Sequence, residues 1–285
     1  MSMVVSIASA VEIDGIEYIL DSTTKTAAVA SQYYSDSYTF RNYAGDIIIP
    51  ESVTYNETIY NVTEIGYNAF AFSDITSITI GLNVTSIGIG AFYDCLDLAS
   101  IMVEEDNPIY DSRDNCNAII ETATNSLIYG FRSTIIPNSV ISIGNNAFDS
   151  CMGLTSIEIP NSVETIGEDA FYNCADLSSI TIGNSVTEIG GYAFQNCSNL
   201  TSVVFNAKNC ESCVGPIFPS IKNLTIGEEV ENIPSEAFVM CTDLTSVTIG
   251  NSVTRIGESA FFGCTGLTSI EMRFRENKMY FSLVV

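Results

Sequence analysis

Thiols and carboxylates are the reactive groups of this sequence. Its 285 residues include nine cysteines, 34 Asp and Glu, and no histidine. Without an imidazole, the Ser-His-Asp and Cys-His nucleophilic pairs, HExxH and every His-ligated metal site are excluded together. Six cysteines, Cys95, Cys151, Cys174, Cys197, Cys241 and Cys264, each stand three residues after the Phe of an Ala-Phe dipeptide. Cys210-Glu211-Ser212-Cys213 is a lone CxxC. A structural zinc there would need two more ligands, which leaves a solvent-exposed disulfide or two thiols as its readings. Glu104-Glu105-Asp106 with Asp111, Asp114 and Asn115 offers oxygen ligands suited to calcium, but the sixth-position Gly and twelfth-position Glu of an EF-hand loop are missing. That stretch reads as a solvated acidic loop. Glu64, Glu164, Glu188 and Glu231 recur in one kind of short segment, with Ser86, Ser142 and Arg255 in its other copies. Stacked like charges repel, so this series predicts surface solubility and not paired catalytic carboxylates. There is no GxSxG or P-loop, and Gly88-Ile89-Gly90 lacks the third glycine of a dinucleotide fingerprint. The expectation is a protein that is not an enzyme, with no catalytic residue, metal or cofactor. Its binding residues are unassigned.

Composition narrows the partners. Ten Lys and Arg against 34 Asp and Glu give 10 − 34 = −24, which disfavours nucleic acid and anionic membrane surfaces. A hydrophobic content of 46% with 15% charged residues belongs to a folded chain. No apolar run approaches the roughly 20 residues that span a bilayer, so membrane insertion is not expected. The segment MVVSIASA at residues 3–10 closes on the A-x-A pattern of a cleavage site but lacks a basic start. Residues 1–10 are read as a signal-peptide remnant, which points to export.

The elements that position the thiols come from a repeat. Ala-Phe recurs with Phe at 70, 92, 148, 171, 194, 238 and 261. One unit, residues 154–176, reads LTSIEIPNSVETIGEDAFYNCAD, and Pro216-Ile217-Phe218 stands for Ala-Phe in a degenerate copy. In LTSIEI, Leu154, Ile157 and Ile159 are apolar and Ser156 and Glu158 polar, as in a short strand with one buried face. Pro160-Asn161-Ser162 turns the chain, and Val163 and Ile166 mark a second extended segment closed by Gly167. EDAFYNC is read as one tight helical turn that sends Ala170, Phe171 and Cys174 inward. A single coil cannot offset its own conformational entropy, so coils must stack with their strands in parallel ladders. Stacking places the six cysteines in one column, where buried thiols act as small hydrophobes.

The unit IPNSVxxIGxxAFxxCxxLTSI, with the insertion VEEDNPIYDSRDNCNAIIETATNSLIYG and the leading VEIDGIEYIL, resembles the BspA-type leucine-rich repeat of bacterial cell-surface proteins over residues 11–270. The resulting fold expectation is a repeat solenoid of leucine-rich-repeat type, β-rich with parallel strand ladders and short helical turns. Residues 11–60 are assigned to a β-rich N-terminal cap and first coil, on the strength of seven tyrosines and the Asp14-Gly15 hairpin signal. The solenoid covers 61–270, with variant coils at 103–137 and 206–227, and 271–285 form an irregular tail. Met272, Phe274, Tyr280, Phe281 and Leu283 follow no repeat pattern. The tail is therefore read as makeshift or poorly ordered and not as a native-quality cap, from an unusual ending or from a truncated or frame-changed repeat array, and weak self-association through the C-terminal edge is expected.

The resemblance implies a secreted or cell-surface, adhesin-like protein that presents a repeat platform to host or neighbouring-cell proteins or glycans. A structural spacer or stalk is the alternative. Outward strand positions, such as Thr76-Ser77-Thr79, Thr155-Ser156-Glu158 and Thr245-Ser246-Thr248, are nearly uniform in Ser and Thr. A specific face carries aromatic or Arg anchors, so any binding is expected in the insertion, in the tyrosine-rich cap or through repetition itself.

Overall fold

The computed structural model describes residues 10–31, 42–213, 218, 220–267 and 269–272. The expected signal remnant up to Ser9, residues 216 and 217, and the tail from residue 273 onward lie outside them. The chain divides into two compact units, Met1–Ser112 and Arg113–Val285.

The first unit begins with two hairpins. Val11–Ile13 pairs antiparallel with Ile16–Asp21 across Asp14 and Gly15, whose φ of 50° and 82° suit the two-residue turn expected there. Ile16–Asp21 pairs antiparallel with Thr26–Val29, and Ser52–Tyr55 with Thr58–Ile65. Thr26–Val29 lies parallel to Thr58–Ile65. Coils then follow: Ala44–Ile49, Asp74–Ile80 and Ser100–Val103 form a parallel ladder, and Ser86–Ile87 extends Thr58–Ile65.

The second unit opens on a hairpin of Ala118–Glu121 and Ser126–Gly130 and continues as two parallel ladders. The long ladder runs through Ser156–Glu158, Ser179–Ile182, Ser202–Phe205, Asn223–Ile226, Ser246–Ile249 and Ser269–Met272. The short ladder runs from Ser126–Gly130 through Ser142–Ile143, Thr165–Ile166, Glu188–Ile189 and Ser212–Cys213. A separate pair joins Asn232–Ile233 to Arg255–Ile256. Among the described residues the short ladder is therefore interrupted after Cys213.

Between the ladders, the Ala-Phe segment is not a helical turn. In each of three successive coils two residues four apart have positive φ: Asn146 and Ser150, Asp169 and Asn173, Tyr192 and Asn196. A left-handed residue at that interval cannot sit in a right-handed helix. The hydrogen bonds explain the choice. Every second N–H bonds three residues back, as in Asp149 to Asn146 (3.0 Å) and Cys151 to Phe148 (3.0 Å). The intervening ones reach the next coil: Asn146 to Glu168 (3.0 Å), Phe148 to Ala170 (2.7 Å) and Ser150 to Tyr172 (2.8 Å). Tandem turns thus make a third ladder. Among the described residues the helical structure is a 3₁₀ turn at Arg113–Asn115.

The interior follows from this geometry. Leu154, Ile157, Ile159, Val163, Ile166, Ala170, Phe171 and Cys174 are all buried, as read from the repeat. The phenylalanines stack in one file, with ring centroids 4.7 Å apart for Phe148 and Phe171, 5.1 Å for Phe171 and Phe194, and 4.9 Å for Phe194 and Phe218. Phe218 fills the place expected of the degenerate copy, and Phe238 and Phe261 continue the file at 5.9 and 5.5 Å. A glycine after several of the short strands, as at Gly167, Gly190 and Gly257, lets backbones close up. A Cβ on Gly190 would lie 2.5 Å from the Glu168 nitrogen and 2.6 Å from the Gly167 carbonyl carbon.

Candidate functional site

All nine cysteines are thiols. Cys174, Cys197, Cys241 and Cys264 are fully buried, and each donates across the coil boundary to the carbonyl of a phenylalanine in the preceding coil, at 3.0 to 3.1 Å. Cys95 makes the same bond to Phe70 at 3.0 Å, although it and Cys151 are only half-buried. Burial pushes the Cys95 and Cys151 thiols up to about 12. Cys174 is held above the ordinary thiol range by its hydrogen bond with Cys197 and by burial. Cys264 is instead lowered by its hydrogen bond with Cys241, but it too is fully buried, and it is burial that suits the column to packing.

Cys210 and Cys213 lie off that column, with their sulfurs 3.4 Å apart. The solvent-exposed setting expected for the pair is wrong: Cys210 is 4% exposed and belongs to the core, and Cys213 is half-buried against it. The strand that carries Cys213 is paired with Ile189, which turns its side chain inward.

The carboxylates are dispersed. Glu104 accepts from the Leu82 N–H at 2.9 Å, and the buried Asn107 holds the carbonyls of Gly81 and Val84 at 2.9 Å each. That loop is anchored by its amide, with Glu105 and Asp106 exposed. No group of three His, Cys, Asp or Glu among the described residues is arranged to hold a metal. The glutamates expected in one column occupy two. Glu188 faces Thr165, and Glu64 faces Ser86. Glu164 and Glu231 stand one residue earlier in their segments, where their carbonyls accept from Thr187 and Thr254. A one-residue offset in a strand reverses the face, so the charges do not stack.

Two aspartates set an acid response. Burial pushes the Asp149 carboxyl up, against the lowering effect of the Ser150 hydroxyl at 2.9 Å, and Asp169 adds to the rise. Asp169 is itself pushed up by burial and by Glu168. A carboxyl raised in the folded state favours folding once protonated, so its contribution is complete below the unfolded value of 3.8 and is lost as pH rises through the folded one. Asp21 and Asp46 are lowered by hydrogen bonds, to the Thr23 backbone first and to the Ser77 hydroxyl first. Their contribution falls away in stronger acid. Melting temperature should therefore rise from neutral pH into mild acid and then drop. In Asp149→Asn the rise should be shallower, by about 1 kcal/mol or less, as read from thermal scans across that range; an unchanged slope contradicts the assignment.

The outward strand faces of the two units differ. In the second unit the register aligns Ser156, Ser179, Ser202, Asn223 and Ser246, and two residues on Glu158, Thr181, Val204, Thr225 and Thr248. This matches the expected Ser and Thr surface except at Val204 and Asn223. In the first unit it fails. Ile48, Thr79 and Met102 lie in register, and Ile48 is 65% and Met102 55% exposed. Beside them Asp46 accepts from the hydroxyls of Thr76 (2.9 Å) and Ser77 (2.6 Å). Neither apolar side chain stood out in sequence, because the run Ile47-Ile48-Ile49 conceals which isoleucine faces out and Met102 sits between the core residues Ile101 and Val103. Pairing Ile48 with Thr79 two positions before the turn would have exposed it.

The comparisons agree with this architecture. A model of the BspA type leucine rich repeat region matches residues 34–128, 118–220 and 217–281, in six copies. No curated protein matches the chain. A leucine-rich repeat protein from Bacteroides ovatus is 28% identical in a solved structure, with TM-score 0.58, covering 93% of this chain and 71% of that one. A leucine rich cell surface protein from Faecalibacterium prausnitzii is 23% identical, with TM-score 0.45, covering 93% and 94%.

Proposed function

Because the chain belongs to the BspA-type leucine-rich-repeat family, we propose that it works at a bacterial cell surface as an adhesin-like protein that binds an extracellular protein or glycan of a host or neighbouring cell. One observation carries this reading: the exposed Ile48 and Met102 on either side of Thr79, bordered by the hydroxyls bonded to Asp46. Apolar anchors within a polar rim are the composition of an interface centre. The family supports binding and not catalysis. It also supports a surface location, while the described residues contain no helix long and apolar enough to cross a membrane.

The mostly Ser and Thr face of the second unit favours a second role for that unit, as a structural spacer. Immobilised extracellular-matrix proteins and a glycan array test both. Saturable binding that soluble protein competes away is expected, weakened about tenfold or more in the double variant Ile48→Ser, Met102→Ser and unchanged in Thr225→Ser. A chain that binds nothing on either surface is a spacer throughout, and the adhesin reading fails.

A further inference from the structure

The second short segment of an ordinary coil carries two apolar side chains three residues apart, both buried in four coils: Val140 and Ile143, Val163 and Ile166, Val186 and Ile189, Val230 and Ile233. In the degenerate coil both are cysteine. Register places Cys213 opposite Ile189, in the isoleucine position, and Cys210 takes the valine position, buried in the same core. Two separate thiols fill less volume than Val and Ile, and cores are sensitive to losses of that size.

The backbone around the pair is held by the preceding coil and not by the loop itself. Lys208 donates to Asn184 at 3.0 Å, Glu211 donates to Thr187 at 2.9 Å, and Cys213 pairs with Ile189. The sulfurs thus face each other at 3.4 Å across a fixed frame, against about 2.05 Å in a disulfide. Among the described residues the same coil comes just before a break: its strand Ser212–Cys213 ends the short ladder, and the following pair starts anew at Asn232–Ile233.

We infer that Cys210 and Cys213 are a disulfide site, closed by exchange with a low-molecular-weight disulfide, whose cystine replaces the Val and Ile contact where the short ladder is interrupted. The half-buried Cys213 reacts first. Its thiolate, formed by loss of a proton to solvent, attacks one sulfur of the small disulfide and expels one small thiolate. The Cys210 thiolate then attacks the Cys213 sulfur of that mixed disulfide, expelling the second. Two protein thiols are oxidised, one small disulfide is reduced to two thiols, and the atoms balance. The hydrogen bond with Cys210, and after it burial, hold the Cys213 thiol above its ordinary range, so closure quickens as pH rises. The fully buried ladder thiols, bonded to carbonyls, are shielded from the same reagent.

The site can be read directly. Trypsin cleaves at Lys208 and Lys222, and the peptide between them contains these two cysteines and no other. After the reduced full-length protein is incubated with glutathione disulfide, then denatured and alkylated, that peptide should be lighter by two hydrogens and carry no label. Cleavage after Glu211 should leave its halves joined until a reductant is added. Oxidation should raise the melting temperature of the parent chain and leave that of Cys210→Val, Cys213→Ile unchanged, since that double variant restores the repeat pattern and is expected to fold. Full alkylation of both cysteines, a persistent glutathione adduct on Cys213, or a cross-link mapped to the ladder cysteines would each overturn the inference.

Discussion

Phe171→Ala should destabilise the second unit by about 3 to 5 kcal/mol, the usual cost of emptying a buried aromatic site. The ring is fully buried and stacks on Phe148 at 4.7 Å and Phe194 at 5.1 Å, so its removal strips contacts from two coils at once. In a stack whose stability is a sum of coil and neighbour terms, a central loss weakens both adjoining boundaries. Urea titration with far-UV circular dichroism measures the change. A midpoint that stays where it was would mean that the phenylalanine file does not hold the coils together.

Gly190→Ala should be nearly as damaging, by about 2 to 3 kcal/mol. Its new methyl would meet the Glu168 nitrogen at 2.5 Å, and the obstacle is main chain that cannot rotate away. Gly144 supplies the control, because the nearest atom to a Cβ there is the Leu127 carbonyl oxygen at 3.2 Å. Gly144→Ala should stay within about 1 kcal/mol of neutral. Equal melting temperatures for the two variants would show that the coils do not approach as closely as described.

The buried positions and the parallel ladders were legible from the repeat because a 23-residue period overdetermines them. Leu154, Ile157 and Phe171 recur with the same neighbours, so one unit read correctly gives the rest. The step is 23 residues from Ser156 to Ser179 and from Ser179 to Ser202, and shortens to 21 only from Ser202 to Asn223. The Ala-Phe segment was misread as helical because its spacing of inward residues suits one turn of helix equally well. What decides against it is the partner of each N–H, and the bond from Phe148 to Ala170 involves another coil. The glutamate column failed for a related reason: VETIG and VTEIG look alike, yet they differ by the one residue that sets the face. Ile48 escaped notice because its step of 31 residues to Thr79 lies outside the regular period, and Met102 because the Ser and Thr of the other copies masked a departure one 23-residue step after Thr79. Cys210 and Cys213 were visible as a CxxC, but their inward direction came from the Val and Ile positions that they replace.

The tandem-turn ladder has an electrical consequence. The peptide group between Ala147 and Phe148 accepts from Gly130 at 2.7 Å and donates to Ala170 at 2.7 Å; the group between Ala170 and Phe171 donates in turn to Ala193 at 2.8 Å. These amides run head to tail through successive coils, all pointing the same way. Peptide dipoles aligned in this manner add, as they do along a helix axis, and each polarises the next. The turn column thus carries aligned dipoles built from amides some two dozen residues apart in sequence, while in the short ladder Gly167 donates back to Ile143 and Gly190 back to Ile166, so that a second column points the opposite way. The positive pole of the turn column faces the later coils. In a protein of net charge −24, the field of either column is therefore felt by the side chains beside its own end and not across the whole unit.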